Sequence, residues 1–146
     1  MYGLLVIVLF VTAARDAAHS VNSAVPLALQ ALGLAGRIAT SGAVCWSMAT
    51  NPFLSSCVRI QADWGHTVVK KGPYQFIRHP MCAPIIPMMI STALLLGSWR
   101  ALIPAGLIAV LFVIRTALED QTVSNELSGY GEYKAEVRYR LLPGIW

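Results

Sequence analysis

The sequence predicts an all-α integral membrane protein, with about four transmembrane helices and a polar site built where the chain leaves the lipid. Three observations carry that expectation. Hydrophobic residues make up 56% of the 146 residues and charged ones only 12%, against roughly 25% charged in an average soluble domain. The mean hydropathy is +0.61, and a chain this short can hide only a modest apolar interior, so the excess must face lipid. The apolar residues come in runs separated by polar segments, and the basic residues collect in two of those segments. Eleven Lys and Arg against seven Asp and Glu are too dilute for a nucleic-acid stripe and read instead as membrane topology. Cys45, Cys57 and Cys82 are odd in number and lack Cys-x-x-Cys spacing, which argues against a disulfide framework or a zinc ribbon.

The first apolar run, residues 3–14, has twelve residues, short of the ~20 needed to cross about 30 Å of hydrocarbon. It reads as a short, tilted or truncated span. No Lys or Arg precedes it, which weighs against a secretory signal, although Thr12-Ala13-Ala14 would suit cleavage. The second run, Pro26 to Ala49, is long enough to span but carries Arg37 at its middle. A charge there costs about 2.5–3.5 kcal/mol on insertion scales, so Arg37 is expected to face helices, water or a polar partner. The alternative is a shifted span from which Arg37 snorkels. Gly33 and Gly36 offer a face that another helix can approach closely. Asn51-Pro52 closes the run, because proline disfavours helical geometry in the residue before it.

Residues 51–81 form a polar loop, with Arg59, Asp63, His66, Lys70, Lys71, Arg78 and His79 in quick succession and Gly72-Pro73 as a turn signal. Apolar sequence resumes from Cys82 to Gly97, interrupted by Pro84 and Pro87, and again from Ala101 to Ile114. With Gly97-Ser98-Trp99-Arg100 between them, the two runs predict a tight helical hairpin, 82–114, with an interfacial tryptophan at its tip. From Arg115 the chain is amphipathic and charged, and Gly129 and Gly131 are expected to break it into short helices with Tyr130, Tyr133 and Val137 on an apolar face. The organisation is thus an N-terminal pair of spans, 1–50, and a second region, 51–146, ending in the tail 115–146.

Sidedness follows from the charges. Arg59, Lys70, Lys71 and Arg78 in the loop, with Arg115, Lys134, Arg138 and Arg140 in the tail, make eight of the eleven basic residues. A hairpin returns the chain to the side it left, so loop and tail share a face, and the positive-inside rule makes that face cytoplasmic.

The remaining question is chemistry. No GxGxxG, P-loop, HExxH or GxSxG stretch occurs. His66, His79 and Cys82 lack a fourth partner at metal-ligand spacing, so no metal site is expected. Arg115 and Glu119 are four apart and share a helix face. They form either a simple ion pair or part of a site. Arg before Glu is the poorer order for such a pair, and an acid near a helix C-terminus opposes the helix dipole. His79 would donate into a site or cap the helix that follows, and Tyr74 would line a site or anchor at the interface.

Gly72-Pro73-Tyr74, Arg78-His79-Pro80, the hairpin, then Arg115 with Glu119-Asp120, and a tail with Gly129-Tyr130 that ends Tyr139-Arg140-Leu141-Leu142-Pro143-Gly144-Ile145-Trp146, stand in that order. From about Asn51 to Trp146 this resembles the isoprenylcysteine carboxyl methyltransferase and phospholipid methyltransferase group of membrane enzymes. The resemblance implies methyl transfer from S-adenosylmethionine to a lipophilic small-molecule or lipidated acceptor, with the bilayer as partner and no nucleic acid. It also implies that His66, Thr67, Val68, Val69, Tyr74, His79, Pro80, Met81, Cys82 and Glu119 line the cofactor and that Arg115 positions the acceptor. Two positions depart from the family pattern: Cys82 stands where a tyrosine is usual, and Asp120 where many members have a second glutamate. Two alternatives remain: an NADPH-dependent reductase of sterol-reductase-like architecture, and a non-catalytic membrane protein or fragment.

Overall fold

A computed structural model describes residues 2–19, 25–53 and 67–146. His66, Arg59, Asp63 and Cys57 lie outside the described residues. The described chain is all helical: α1 (Tyr2–His19), α2 (Leu27–Thr50), a short 3-10 helix (Gly72–Gln75), α3 (Cys82–Leu95), α4 (Leu102–Glu126) and α5 (Tyr130–Glu136). Helices α1, α2 and α4 are long and apolar enough to cross a membrane, and α3 is apolar but has 14 residues. At 1.5 Å per residue α3 reaches only about 21 Å, so three of the four expected spans attain membrane length.

The chain divides into two compact units, residues 1–42 with 84–112, and residues 43–83 with 113–146. In the first, Leu9, Ala13, Ala93, Ala101, Ala105 and Ile108 form the buried core. The four alanines let the backbones close in where larger side chains would hold them apart. Gly33 does the same on α2: an added Cβ would stand 2.6 Å from the Leu95 nitrogen and 2.8 Å from the Ser91 carbonyl oxygen. Large apolar residues such as Leu4, Phe10, Leu32, Ile103 and Leu107 are exposed instead, the inverse of a water-soluble packing and the pattern that lipid requires.

Helix α1 runs 18 residues, past the twelve-residue apolar run and through Arg15 and Asp16. Leu9, Ala13 and Asp16 occupy one buried stripe at helical spacing. The Asp16 carboxylate accepts hydrogen bonds from Ser98 Oγ at 2.6 Å and Arg100 Nη1 at 3.1 Å, so this buried acid is satisfied inside the helix. Its partners belong to the hairpin turn, which forms as expected. Gly97 sits at φ +71, and the Gly97 and Ser98 amides bond back to Leu94 and Ala93, a pairing that satisfies the last carbonyls of α3. Trp99 at this turn is exposed. Arg37 is half-buried and donates to Ser41 Oγ on its own helix at 2.9 Å.

In the second unit, α2 ends at Thr50, directly before Asn51-Pro52. Gly72, at φ +57, packs where an added Cβ would meet Thr50 Oγ1 at 2.9 Å, and Pro73 starts the 3-10 helix that holds Tyr74. Tyr130, Tyr133 and Val137 form a core with Val68, Val123 and Leu127, the apolar face expected of the tail. Two details differ from expectation. Helix α4 continues through Arg115 to Glu126, and Gly131 lies inside α5, so that only Gly129, at φ +80, breaks the tail.

Candidate functional site

The polar loop and the tail meet within the second unit. The Arg78 and His79 amides donate to the Tyr139 and Arg140 carbonyls at 2.9 and 3.0 Å, and Tyr133 Oη donates to the Tyr74 carbonyl at 2.7 Å. Backbone pairing of this kind fixes residues far apart in sequence without constraining their side chains. Those side chains gather into two clusters around neighbouring residues of α4.

Asp120 centres the first. It is fully buried and takes Arg78 Nε at 2.9 Å on one oxygen and Arg78 Nη2 at 3.3 Å on the other. Tyr130 Oη donates to it at 2.8 Å, Arg140 Nε at 3.0 Å, His79 Nε2 lies 3.3 Å away and Lys134 Nζ 3.9 Å. Arg78 reaches further, with Nη1 on the Val137 and Arg138 carbonyls. A buried carboxylate survives only when paired and hydrogen-bonded like this. Burial, and the hydrogen bond to Asp120, push the Tyr130 phenol well above its ordinary range. Burial also raises Tyr133. Both hydroxyls stay protonated and able to donate.

Tyr74, Cys82, Arg115 and Glu119 make up the second cluster. Tyr74 and Cys82 are buried, and Glu119 acts electrostatically on both of them, with Arg115 acting on Cys82. Burial raises the Tyr74 pKa, the neighbouring Asn51 side chain opposes that rise, and Cys82 and Glu119 add to it. Arg115 Nε stands 3.6 Å from Glu119 Oε2, so the ion pair allowed by the spacing exists, at a separation too long for a hydrogen bond. Among the described residues two buried oxygens here, Tyr74 Oη and Glu119 Oε2, have no hydrogen bond of ordinary geometry, although Asn51 stands near the first and Arg115 pairs with the second at longer range. Native proteins rarely leave such atoms unpaired.

Four of the residues named from sequence are therefore neighbours: Tyr74, Cys82, Arg115 and Glu119. The others are placed differently. His79 turns its ring to Asp120, while its backbone carbonyl accepts the Cys82 and Ala83 amides and so starts α3. Pro80 is buried, with its carbonyl held by Ser47 Oγ at 2.9 Å. Met81 and Val69 are half-buried, Thr67 is exposed and Val68 packs on the tyrosine core. His66 is outside the described residues. Sequence reasoning missed the Asp120 network, treating that residue only as a variant of glutamate. The available signal was an acid next to Glu119 on a strongly apolar helix, which cannot stay charged there without partners.

The model of the Isoprenylcysteine carboxyl methyltransferase (ICMT) family matches residues 31–125, which is more than half of the chain and includes both Asp120 and the four-residue cluster. No curated protein and no solved structure matches the chain. The match begins earlier than the motif resemblance, within α2, and stops before α5. With its apolar helices of membrane length, the chain belongs to the isoprenylcysteine carboxyl methyltransferase family of membrane methyltransferases.

Proposed function

We propose that the chain transfers a methyl group from S-adenosylmethionine to a lipophilic acceptor at the cytoplasmic face of a membrane. The acceptor is a prenylcysteine-like carboxylate or a lipid-like small molecule. The observation that supports this most is the pair of buried oxygens, Tyr74 Oη and Glu119 Oε2, which among the described residues have no hydrogen bond of ordinary geometry. Their chemistry fits the cofactor: a carboxylate suits an ammonium or ribose hydroxyls, and a protonated phenol can give or accept one hydrogen bond. The family resemblance further assigns Thr67, Val68, Val69, His79, Pro80, Met81 and Cys82, together with His66, to the cofactor side, although the His79 ring is turned to Asp120.

When bound, S-adenosylmethionine supplies a sulfonium methyl already activated for displacement. The protein's task is then positioning, with the reacting atoms held about 3–3.5 Å apart in a site that excludes water. Arg115 suits that task, because a guanidinium grips a carboxylate through two parallel hydrogen bonds. Glu119, beside it, restrains its orientation. A carboxylate acceptor needs no general base. An amine or thiol acceptor must lose a proton, and with His79 engaged by Asp120, Glu119 is the group left to take it.

The test is equilibrium binding of radiolabelled S-adenosylmethionine to the purified protein and to Glu119→Ala. Removing a charged hydrogen-bond partner should weaken binding about tenfold or more. Wild-type affinity in the variant would take Glu119 out of the site, and binding of NADPH instead would overturn the reaction class.

A further inference from the structure

We infer that a basic groove in the second unit binds the phosphate of an anionic phospholipid. The groove has a volume of about 470 Å³, and Arg78, Lys134, Arg138 and Arg140 line it together with Tyr139 and Trp146. Among the described residues only Asp120 offsets these cations: Arg78 and Arg140 bond it and Lys134 stands 3.9 Å away. No carboxylate lies against Arg138 among the described residues. Four cationic side chains less one carboxylate leave three positive charges, and a carboxylate counted at Trp146 would still leave two.

That excess is more than the fold requires. Arg78 alone meets both oxygens of Asp120 and would neutralise it. Arg140 uses only its Nε on Asp120, and its guanidinium lies 4.9 Å over the Trp146 ring. Its terminal nitrogens have no protein hydrogen bond among the described residues. A stacked guanidinium with free donors, flanked by Arg138 and Lys134, has the charge and the rigidity to grip a phosphate.

The rim selects a lipid over a soluble phosphate. Tyr139, Leu142 and Ile145 are exposed, Ile145 at 79%, and Tyr139 and Ile145 are also in the groove wall. Aliphatic and aromatic side chains interleaved with Lys and Arg belong at the boundary of headgroups and acyl chains, where the apolar groups enter the lipid and the cations stay with the phosphates. The tail also follows α4, a helix long enough to cross the bilayer, so it starts at a membrane surface, where clustered basic residues attract anionic lipid. The proposal is independent of methyl transfer and stands or falls separately.

Native mass spectrometry of the full chain in detergent, with equal amounts of phosphatidylglycerol and phosphatidylcholine bearing the same acyl chains, tests it. The wild type should retain phosphatidylglycerol preferentially. In Lys134→Gln/Arg138→Gln that preference should fall roughly fivefold for each charge removed. Lys71→Gln, at an exposed position outside the groove, should keep the wild-type preference. If the double variant fails to fold, Arg138→Gln alone should show a single-charge reduction. Equal retention of the two lipids by the wild type, an unchanged preference in the groove variants, or the same loss in Lys71→Gln would overturn the proposal. Displacement of the lipid by an equal concentration of glycerol 3-phosphate would overturn it too, by making the groove a soluble-phosphate site.

Discussion

Asp120 is held in a fully buried position, where Arg78, His79, Tyr130, Lys134 and Arg140 all meet it. Asp120→Asn preserves the volume but strands a buried Arg78, and breaking a buried pair costs about 3–5 kcal/mol. Thermal unfolding in detergent should show a large fall in melting temperature. Arg78→Lys should recover little stability from the other side of the pair, because an ammonium cannot reproduce the two-pronged contact. Arg115 contrasts with this. It stands 3.6 Å from Glu119, and its proposed task is to hold the acceptor. Arg115→Ala should therefore lower kcat at least about tenfold while the S-adenosylmethionine Kd stays close to wild type, as measured by turnover and binding on the same preparation. An equal loss in both would mean that Arg115 holds the cofactor and not the acceptor. The two residues also differ in how far sequence revealed them. Arg115 and Glu119 were legible because four-residue spacing on a helix is a local relation. The hydrogen-bonding partners of Asp120 come from 42, 41, 20 and 10 positions away, and no local periodicity connects those positions.

At the scale of elements, close packing of α2 on α3 rests on Gly33, where the atoms an added Cβ would meet are backbone and cannot rotate away. Gly33→Ala should separate the helices and destabilise the first unit by about 1–3 kcal/mol. Gly106→Ala, on α4 with nothing within 4 Å of the added Cβ, should cost nothing, and parallel melts of the two variants give the comparison. The glycine pair was readable as a close-approach surface, the hairpin turn from its Gly97, and the end of α2 from Asn51-Pro52, because each depends on backbone geometry that the residue itself dictates. Helix ends at charged residues were not readable. Arg15 and Asp16, and later Arg115 and Asp120, look like exits from an apolar run, yet α1 continues to His19 and α4 to Glu126. In both cases tertiary contacts satisfy the acid, through Ser98 and Arg100 for Asp16 and through the tail and loop for Asp120. A polar residue ends a helix only when nothing inside the fold can bond it.

For the whole molecule, the decisive property for the proposed reaction is sidedness, since that reaction requires an acceptor dissolved in lipid and a water-soluble cofactor to reach one site. The loop residues of 67–83 and the tail are bonded to each other within one unit, so both must emerge on the same face of the bilayer. Eight of the eleven basic residues fall in the full loop and tail, and the positive-inside rule predicts that their face is the cytoplasmic one. The two apolar runs on either side of Trp99 in the sequence predict that this turn faces the opposite side. Single cysteines placed by Lys71→Cys, Lys134→Cys and Trp99→Cys, in a background with Cys45, Cys57 and Cys82 changed to alanine, make the arrangement measurable. A membrane-impermeant maleimide added to inverted vesicles should label the first two, whereas the third should react only in right-side-out vesicles. Labelling of Lys71→Cys and Lys134→Cys from opposite sides would separate Tyr74 from Glu119 and remove the site. Labelling of both from the outer side would leave the site intact but turn it away from the compartment that supplies the cofactor.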